Sequence, residues 1–413
     1  MIQQKVFITG MGMVSSLGNE VEEAFSNLVK GKSGVKAMPH WADYVGLNSH
    51  LMAPAYEYNI SDIPRKKRRT MSGMSEMATI ASFKAMESAG LNKEDPWAEI
   101  EPQKSLLIMG STTGSPKTLE DHFKKLIERG GPEGQTSTAF FKVMNHSVPA
   151  NVAMAIDFKG PLLSTGSACS TSSQAMIQAW ELIQAGLYDI AIVGGADEAF
   201  YTSAAIFDTV QAASTHFNND PDSAPRPFDK NRDGLVISEG AGIFILESEK
   251  HMQRRGAKPI AEFLGGAYYC DGHHMSHPVK DSMIKSMNWA MERCGVTAEN
   301  VDYVNAHATS TVLGDIQEAQ AIGDVFKHRP PVSSLKGHFG HSLAACGTIE
   351  AICSIEMMNS GIAIANRNLQ ELDPECSMIE AISTNREGNY STILSNNFAF
   401  GGMNTSFIIK KCN

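Results

Sequence analysis

The 413-residue chain has no apolar run approaching the ~20 residues a helix needs to cross a bilayer, so no membrane span is expected. Its first residues, MIQQKVFITGMG, lack the basic segment, apolar core and small-residue cleavage site of an export signal. Excess positive charge is missing as well. The net charge of −10 argues against a nucleic-acid partner while leaving room for a local basic patch. There is neither a C-x-x-C pair nor an H-E-x-x-H helix, so no metal site is expected; HFGH (His338, His341) and GHHMSH (His273, His274, His277) do not supply one. The seven cysteines are odd in number and share no spacing, which fits reduced thiols in a cytoplasmic protein better than a disulfide framework.

What is present is an ordinary globular composition, 42% hydrophobic and 19% charged, in a chain too long for one simple core. Short β-rich runs alternate with longer helical patterns. KVFITGMGMVSS reads as strand then turn, and SLLIMGSTTG and DIAIVGGADEA read as buried strands ending in glycine-rich turns. From Met71, apolar residues recur at Met74, Met77, Ile80, Phe83 and Met86, a helix whose methionine stripe belongs to the core. The alternation resumes after RRGAKPIAEFLGGAYYC, and the polar ESEKHMQRRGAKP reads as a surface connection. An α/β protein of two halves, residues 1–250 and 251–413, is expected. GMGMVSSLG lacks the third-glycine spacing and the acidic partner of a dinucleotide site, and GSTTGS lacks the lysine of a phosphate loop.

The chemistry is sought first in STGSACSTSSQ. Helical spacing of Ala175, Met176, Ala179, Trp180, Ile183 and Leu187, with Gly186 as terminator, puts Cys169 at or just before a helix N-terminus. Unpaired N–H groups and the helix dipole there favour a thiolate, and the small neighbours permit a tight strand-to-helix turn. On local sequence alone two readings stand, a nucleophile and an inert buried cysteine. His307 in NAHATST follows a strand, where a structural histidine is the commoner outcome. Lys336, His338 and His341 are bracketed by glycines in SSLKGHFGHSLAACG. The basic run Arg65, Lys66, Lys67, Arg68 and Arg69 is either a solvated face or a dock for an acidic partner.

Taken in order, GSACSTSS, RPFDKNRDGLVISEGAGIFILE, VNAHATSTVLGD, SSLKGHFGHSLAACGTIEA and NNFAFGGMNTSF resemble the β-ketoacyl-acyl-carrier-protein synthases, elongating condensing enzymes of thiolase fold, over essentially the whole chain. The resemblance implies a layered α-β-α-β-α core of two pseudo-symmetric halves. It implies that Cys169 is the nucleophile, acylated by a thioester, and that malonyl-acyl carrier protein is then condensed onto it with loss of carbon dioxide. It further implies that His307 and His341 stabilise the enolate, that the N–H groups of Cys169 and Phe400 form an oxyanion hole, and that Lys336 joins a charge network with Glu318 and Glu350. Thr309 and Thr311 match contacts to the phosphopantetheine arm, and Phe207 and Thr113 match pocket positions. The basic run Arg65–Arg69 would dock the acidic carrier protein. No resident cofactor is implied, because the carrier brings the thioester; the expected assembly is a homodimer, or a heterodimer with a related subunit.

Three departures bear on substrate rather than on chemistry. His338 stands where an apolar residue is usual, Ala399 replaces the glycine of F-G-F-G-G, and Thr113 replaces a branched aliphatic residue. They leave fatty-acid elongation and a polyketide or polyene pathway both open. A thiolase would carry a second cysteine where this chain reads NNFAFGGMN, and a chain-length factor would lack the nucleophile.

Overall fold

The computed structural model describes residues 4–91, 96–98 and 100–412. At its centre is an eleven-stranded mixed sheet. In chain order the strands are β1 (Val6–Val14), β2 (Ser105–Gly110), β3 (Leu162–Thr165), β4 (Ile190–Asp197), β5 (Gly240–Ser248), β6 (Ala261–Cys270), β7 (Tyr303–Asn305), β8 (Pro331–Ser333), β9 (Glu380–Ala381), β10 (Thr392–Ala399) and β11 (Met403–Lys411). They lie in the order β9-β8-β7-β10-β11-β6-β1-β5-β4-β2-β3.

Taken inward from either edge, the order repeats. It is β3-β2-β4-β5-β1 before Ser248 and β8-β7-β10-β11-β6 after it, with β9 added outside. The pairing sense repeats too: the three outer strands of each series run parallel, and the next two alternate. The series join where β1 and β6 meet antiparallel, Phe7 opposite Glu262 and Ile8 opposite Ala261.

Five helices place the layers: α1 (Gly73–Ser88), α2 (Thr171–Gln184), α3 (Lys280–Cys294), α4 (Val312–Val325) and α5 (Cys346–Ser360). Helices α2 and α5 touch each other in the middle layer, α1 covers β1, β4 and β5 from outside, and α3, backed by α4, covers β6 and β11. The result is the expected α-β-α-β-α stack. Strands sandwiched between helical layers need apolar residues on both faces, and all eight positions of β4 are buried.

The methionine stripe behaves as expected: Met71, Met74, Met77 and Met86 are buried against β-strand residues such as Ile192 and Ile243. The GMG glycines serve this packing. A Cβ at Gly10 or Gly12 would lie 2.1 or 2.3 Å from the carbonyl oxygens of Ala85 and Ala81 in α1. The apolar spacing after Cys169 holds to Ile183 and fails at Leu187, which lies past Gly186 (φ 73°) and is exposed, because α2 has already ended. Among the described residues, no helix is long and apolar enough to cross a membrane.

Candidate active site

From β3 the chain passes through a 3-10 turn, Ala168–Ser170, directly into α2. Ala168 has φ 47°, a left-handed conformation that costs a non-glycine residue roughly 1–2 kcal/mol. Hydroxyl groups brace the turn. Thr171 Oγ1 donates to the Ala168 carbonyl at 2.7 Å and accepts from the Ser167 N–H at 3.0 Å. Ser170 Oγ is within 2.9 and 3.0 Å of the carbonyls of Asn397 and Met403. The small polar residues around Cys169 therefore hold a strained turn that presents a buried thiol at the head of a central helix.

Two imidazoles meet that thiol from the other half of the chain. His341 Nε2 lies 3.0 Å from Cys169 Sγ, and the His307 and His341 rings are 5.3 Å apart, edge to face. His307 follows β7 on a loop fastened by Glu318 of α4, which accepts the N–H groups of His307 and Ala308 at 2.8 and 2.6 Å. Further along this loop Ser310 takes φ 74°, and its N–H donates to Asp315 at 3.1 Å. His341 follows the short helix Lys336–Phe339, and its N–H donates to the Val236 carbonyl at 2.7 Å. Nδ1 of both rings is buried without a partner. An unpartnered nitrogen is better tolerated as a lone pair than as an N–H, which assigns the ring protons to Nε2.

The charge network around this trio centres on Lys336 and Glu350, with Glu318 acting at a distance. Lys336 Nζ meets Glu350 at 2.5 Å, both side chains buried, and the second Glu350 oxygen accepts from Asn305 at 3.0 Å and Asn397 at 3.3 Å. Glu318 is spent on backbone N–H groups and acts on Lys336 only through space. Burial pushes the Cys169 thiol up to about 12, while the Lys336 charge and the N–H groups of Cys169 and Phe400 pull it back. Burial, reinforced by Lys336, holds both imidazoles well below the ordinary histidine value, so both are neutral. Burial also lifts Glu318 to about 8 against the pull of its two N–H donors. For Lys336, burial is outweighed by Glu350, and the ammonium persists. The site thus holds a thiol, two neutral N–H donors and one buried cation, a set that favours negative charge appearing between them.

A cavity of about 340 Å³ opens onto the trio and is lined also by Thr309, Thr311, Phe207 and Phe400. The two threonine hydroxyls are 3.2 Å apart, and the Phe207 and Phe400 rings lie 5.8 Å apart. Phe400 sits on the turn between β10 and β11, clasped from outside: Gly401 N–H donates to the Met275 carbonyl at 2.7 Å, and a Cβ at Gly402 would fall 2.2 Å from the Asp271 carboxylate.

Thr113 does not line the cavity; its N–H and hydroxyl bond Asp197 at 3.1 and 3.3 Å. None of Arg65–Arg69 lines it either. Lys67 is tied to Asp157 at 2.8 Å and to the Ala155 carbonyl at 3.1 Å, whereas Arg65, Lys66 and Arg69 are exposed. Both ring nitrogens of His338 face carbonyls, of Lys32 and Ala365, away from His341.

Sequence reading missed four participants. Asp197 collects the loop after β2; Met275 and Asp271 clasp the Phe400 turn; Cys346 Sγ contacts the Cys169 carbonyl at 3.2 Å. The glycine pair after Phe400 was the available signal for a close neighbour.

A buried thiol, which burial keeps protonated at rest where the helix-head position predicted a thiolate, and paired imidazoles, set between the halves of a duplicated sheet, define an acyl-transferring enzyme of thiolase-like fold. Residues 3–252 match the beta-ketoacyl synthase N-terminal domain and residues 260–370 the C-terminal domain, and the chain belongs to this family. It is 34% identical to 3-oxoacyl-[acyl-carrier-protein] synthase 1 of Haemophilus influenzae, covering 99% of this chain and 100% of that one. Identity to the enzyme of the same name from Escherichia coli K12 is 35%, with 99% of each chain covered. A beta-ketoacyl synthase from Burkholderia phymatum superposes with a TM-score of 0.95 at 38% identity, over 99% of this chain and 100% of that one. A type II polyketide ketosynthase, solved with its acyl-carrier protein and bound to a hexaketide, gives a TM-score of 0.89 at 26% identity, with 100% of each chain covered.

Proposed function

We propose that this β-ketoacyl synthase joins an acyl group to a malonyl unit in two half-reactions at Cys169. In the first, Sγ attacks the carbonyl carbon of an acyl thioester, the bond to the carrier sulfur breaks, and the thiol proton leaves with the carrier as its thiol. The oxyanion formed in passing is held by the N–H groups of Cys169 and Phe400, the two backbone donors that act on the sulfur. In the second, the malonyl thioester loses carbon dioxide. The enolate oxygen is met by Nε2–H of His307 and His341, neutral donors whose bonds strengthen as the charge develops. The carbanion attacks the acyl-cysteine carbonyl, the C–S bond breaks, and Cys169 regains a proton from solvent. Lys336, fixed by Glu350, supplies the positive field. Thr309 and Thr311, which line the cavity, would bond the amides of a carrier arm. This chemistry asks for no resident metal or cofactor.

One observation carries the reading: His341 Nε2 at 3.0 Å from Cys169 Sγ, with His307 against both, at the mouth of one cavity. Acyl carrier protein fits as the partner, with the exposed Arg65, Lys66 and Arg69 offering charge complementary to an acidic carrier. A homodimer fits the exposed apolar edge of β3, where Leu162 and Leu163 are 39% and 42% exposed beside no further strand, a surface that calls for cover. A cytoplasmic setting fits seven free cysteines. The test is mass spectrometry of the protein after incubation with acyl carrier proteins of different chain length. An acyl adduct on Cys169 is expected; an adduct elsewhere, or none with any chain, refutes the assignment.

A further inference from the structure

We propose that Cys169, His307 and His341 also form an inhibitory binding site for a soft divalent cation, Zn²⁺ above all, that competes with acylation. The ligand atoms of these three buried side chains all lie within 4.8 Å of one another, and no other such group of three exists among the described residues. A tetrahedral zinc ion with Zn–S near 2.3 Å and Zn–N near 2.0–2.1 Å sets its ligand atoms roughly 3.3–3.6 Å apart. The 3.0 Å contact from His341 to the sulfur has to open by about half an ångström, within the reach of small side-chain rotations.

The far nitrogens support the same reading. Nδ1 of each ring is buried with no partner, so no protein acceptor behind the ring fixes its tautomer. Moving the proton to Nδ1 frees Nε2 as a ligand; for His341 it gives up the 3.0 Å contact with the Cys169 thiol, which the S–Zn bond replaces, and it leaves a buried N–H without a partner, a cost the metal–nitrogen bond has to exceed. On binding, the Cys169 S–H bond breaks, an S–Zn bond forms, and the proton leaves through the cavity; no electrons are transferred. The fourth position faces the cavity, open to a water molecule.

Two features keep this site weaker than a closed structural zinc site. No carboxylate or carbonyl orients either ring from behind, and such partners are worth 10–100-fold in affinity elsewhere. The Lys336 ammonium also opposes a second cation nearby, although Glu350 offsets it. The site is therefore reversible, and it exists only while Cys169 is unacylated. The inference concerns the resting thiol and does not depend on which thioester the enzyme uses.

The exposed pair His274 and His277, whose Nδ1 atoms are 2.8 Å apart, is the rival binder. The test uses the full-length protein freed of metal and titrated with Co²⁺, then Zn²⁺. Expected is a thiolate-to-cobalt charge-transfer band with tetrahedral d–d intensity at one ion per chain, displaced by Zn²⁺. The band should vanish in Cys169→Ser and in wild-type protein alkylated with iodoacetamide, with circular dichroism confirming the fold. It should persist in the double variant His274→Ala, His277→Ala. Zn²⁺ should also slow acylation of Cys169 at least tenfold, and prior acylation should abolish cobalt binding. Absence of the band, its survival in Cys169→Ser, or its loss with the His274/His277 pair overturns the proposal.

Discussion

The two halves of the molecule build the same turn twice and use it oppositely. In the first half, Ala168 at φ 47° opens the 3-10 turn that leads into α2; in the second, Leu343 at φ 48° opens the turn Leu343–Ala345 that leads into α5. The residue after the strained one is Cys169 in one case and Ala344 in the other. The Ala344 N–H donates at 2.8 Å to Asp197, the last residue of β4, which also accepts Ser111 Oγ at 2.5 Å and the N–H groups of Thr112 and Thr113 at 3.0 and 3.1 Å. The counterpart strand β10 runs past the Cys169 turn and ends on Ala399, whose side chain carries no acceptor. One helix head is plugged by the protein's own carboxylate, and at the other the Cys169 N–H acts on the sulfur of the same residue. The strain alone does no chemistry; what separates the halves is what the donor above the helix meets, a fixed carboxylate in one and the reactive sulfur in the other.

That contrast is broken most severely at the sulfur. Cys169→Ser keeps the turn and removes the thiol, and condensation should fall by at least ~10³-fold. Circular dichroism and a carrier-dependent assay check this together; normal condensation by a folded variant would remove the proposed nucleophile. Next come His307→Ala and His341→Ala, each expected to cut decarboxylation of a malonyl thioester by roughly 10²–10³-fold while lowering transfer of a labelled acyl group to Cys169 much less. The reverse pattern would mean the rings serve the first half-reaction.

On the plugged side the loss should appear as stability. Asp197→Ala strands several buried donors at about 1–3 kcal/mol each, so chemical denaturation should register a drop of roughly 3 kcal/mol or more. Acylation of Cys169 by the folded fraction should change less than tenfold; a large kinetic defect with little loss of stability would erase the distinction drawn between the halves. Glu318 gives a pH signature. Its folded value of about 8 is raised above the ordinary 4.5, so the native state holds a proton the unfolded chain has released. Its contribution is fully present below about pH 4.5 and is lost as pH rises through 8. Denaturation midpoints should fall from pH 5 to 8.5 more steeply in wild type than in Glu318→Gln, and equal slopes would contradict the shift. The smallest effect is expected from reversing Arg65, Lys66 and Arg69 to glutamate. Exposed pairs contribute only ~0.2–1 kcal/mol each, so the Michaelis constant for carrier protein should rise a few-fold, less so in high salt. A small acyl-pantetheine substrate should be unaffected; equal losses with both would place docking elsewhere.

How much of this was legible in the sequence depended on how far apart the partners lie along the chain. The α1 stripe, the apolar β4 run and the small-residue turn at Cys169 are local patterns, and the structure contains them. The trio was identifiable only through the resemblance of five separated blocks, because Cys169 and His341 stand 172 positions apart. Long-range pairing explains the misses as well. Nothing local says which glutamate meets Lys336 directly, since Glu318 precedes it and Glu350 follows it on helices that fold back. Thr113 sits in a loop that resembles a pocket wall until Asp197, 84 residues on, claims its hydroxyl. The metal-like spacings that can be seen in sequence, H-x-x-H and HHxxH, do not assemble three ligands, whereas the group that does is spread over three segments.

The turn that carries Phe400 has a consequence for genetics. Half of the proposed oxyanion hole is an amide of the main chain, which every substitution except proline leaves in place. A mutational survey of residues 399–403 would therefore score how the hairpin is held, by Met275 and Asp271, and remain blind to the donor itself. Proline would delete the donor but also fix φ, so replacing that amide with an ester by chemical synthesis is the cleaner way to expose its share of the reaction.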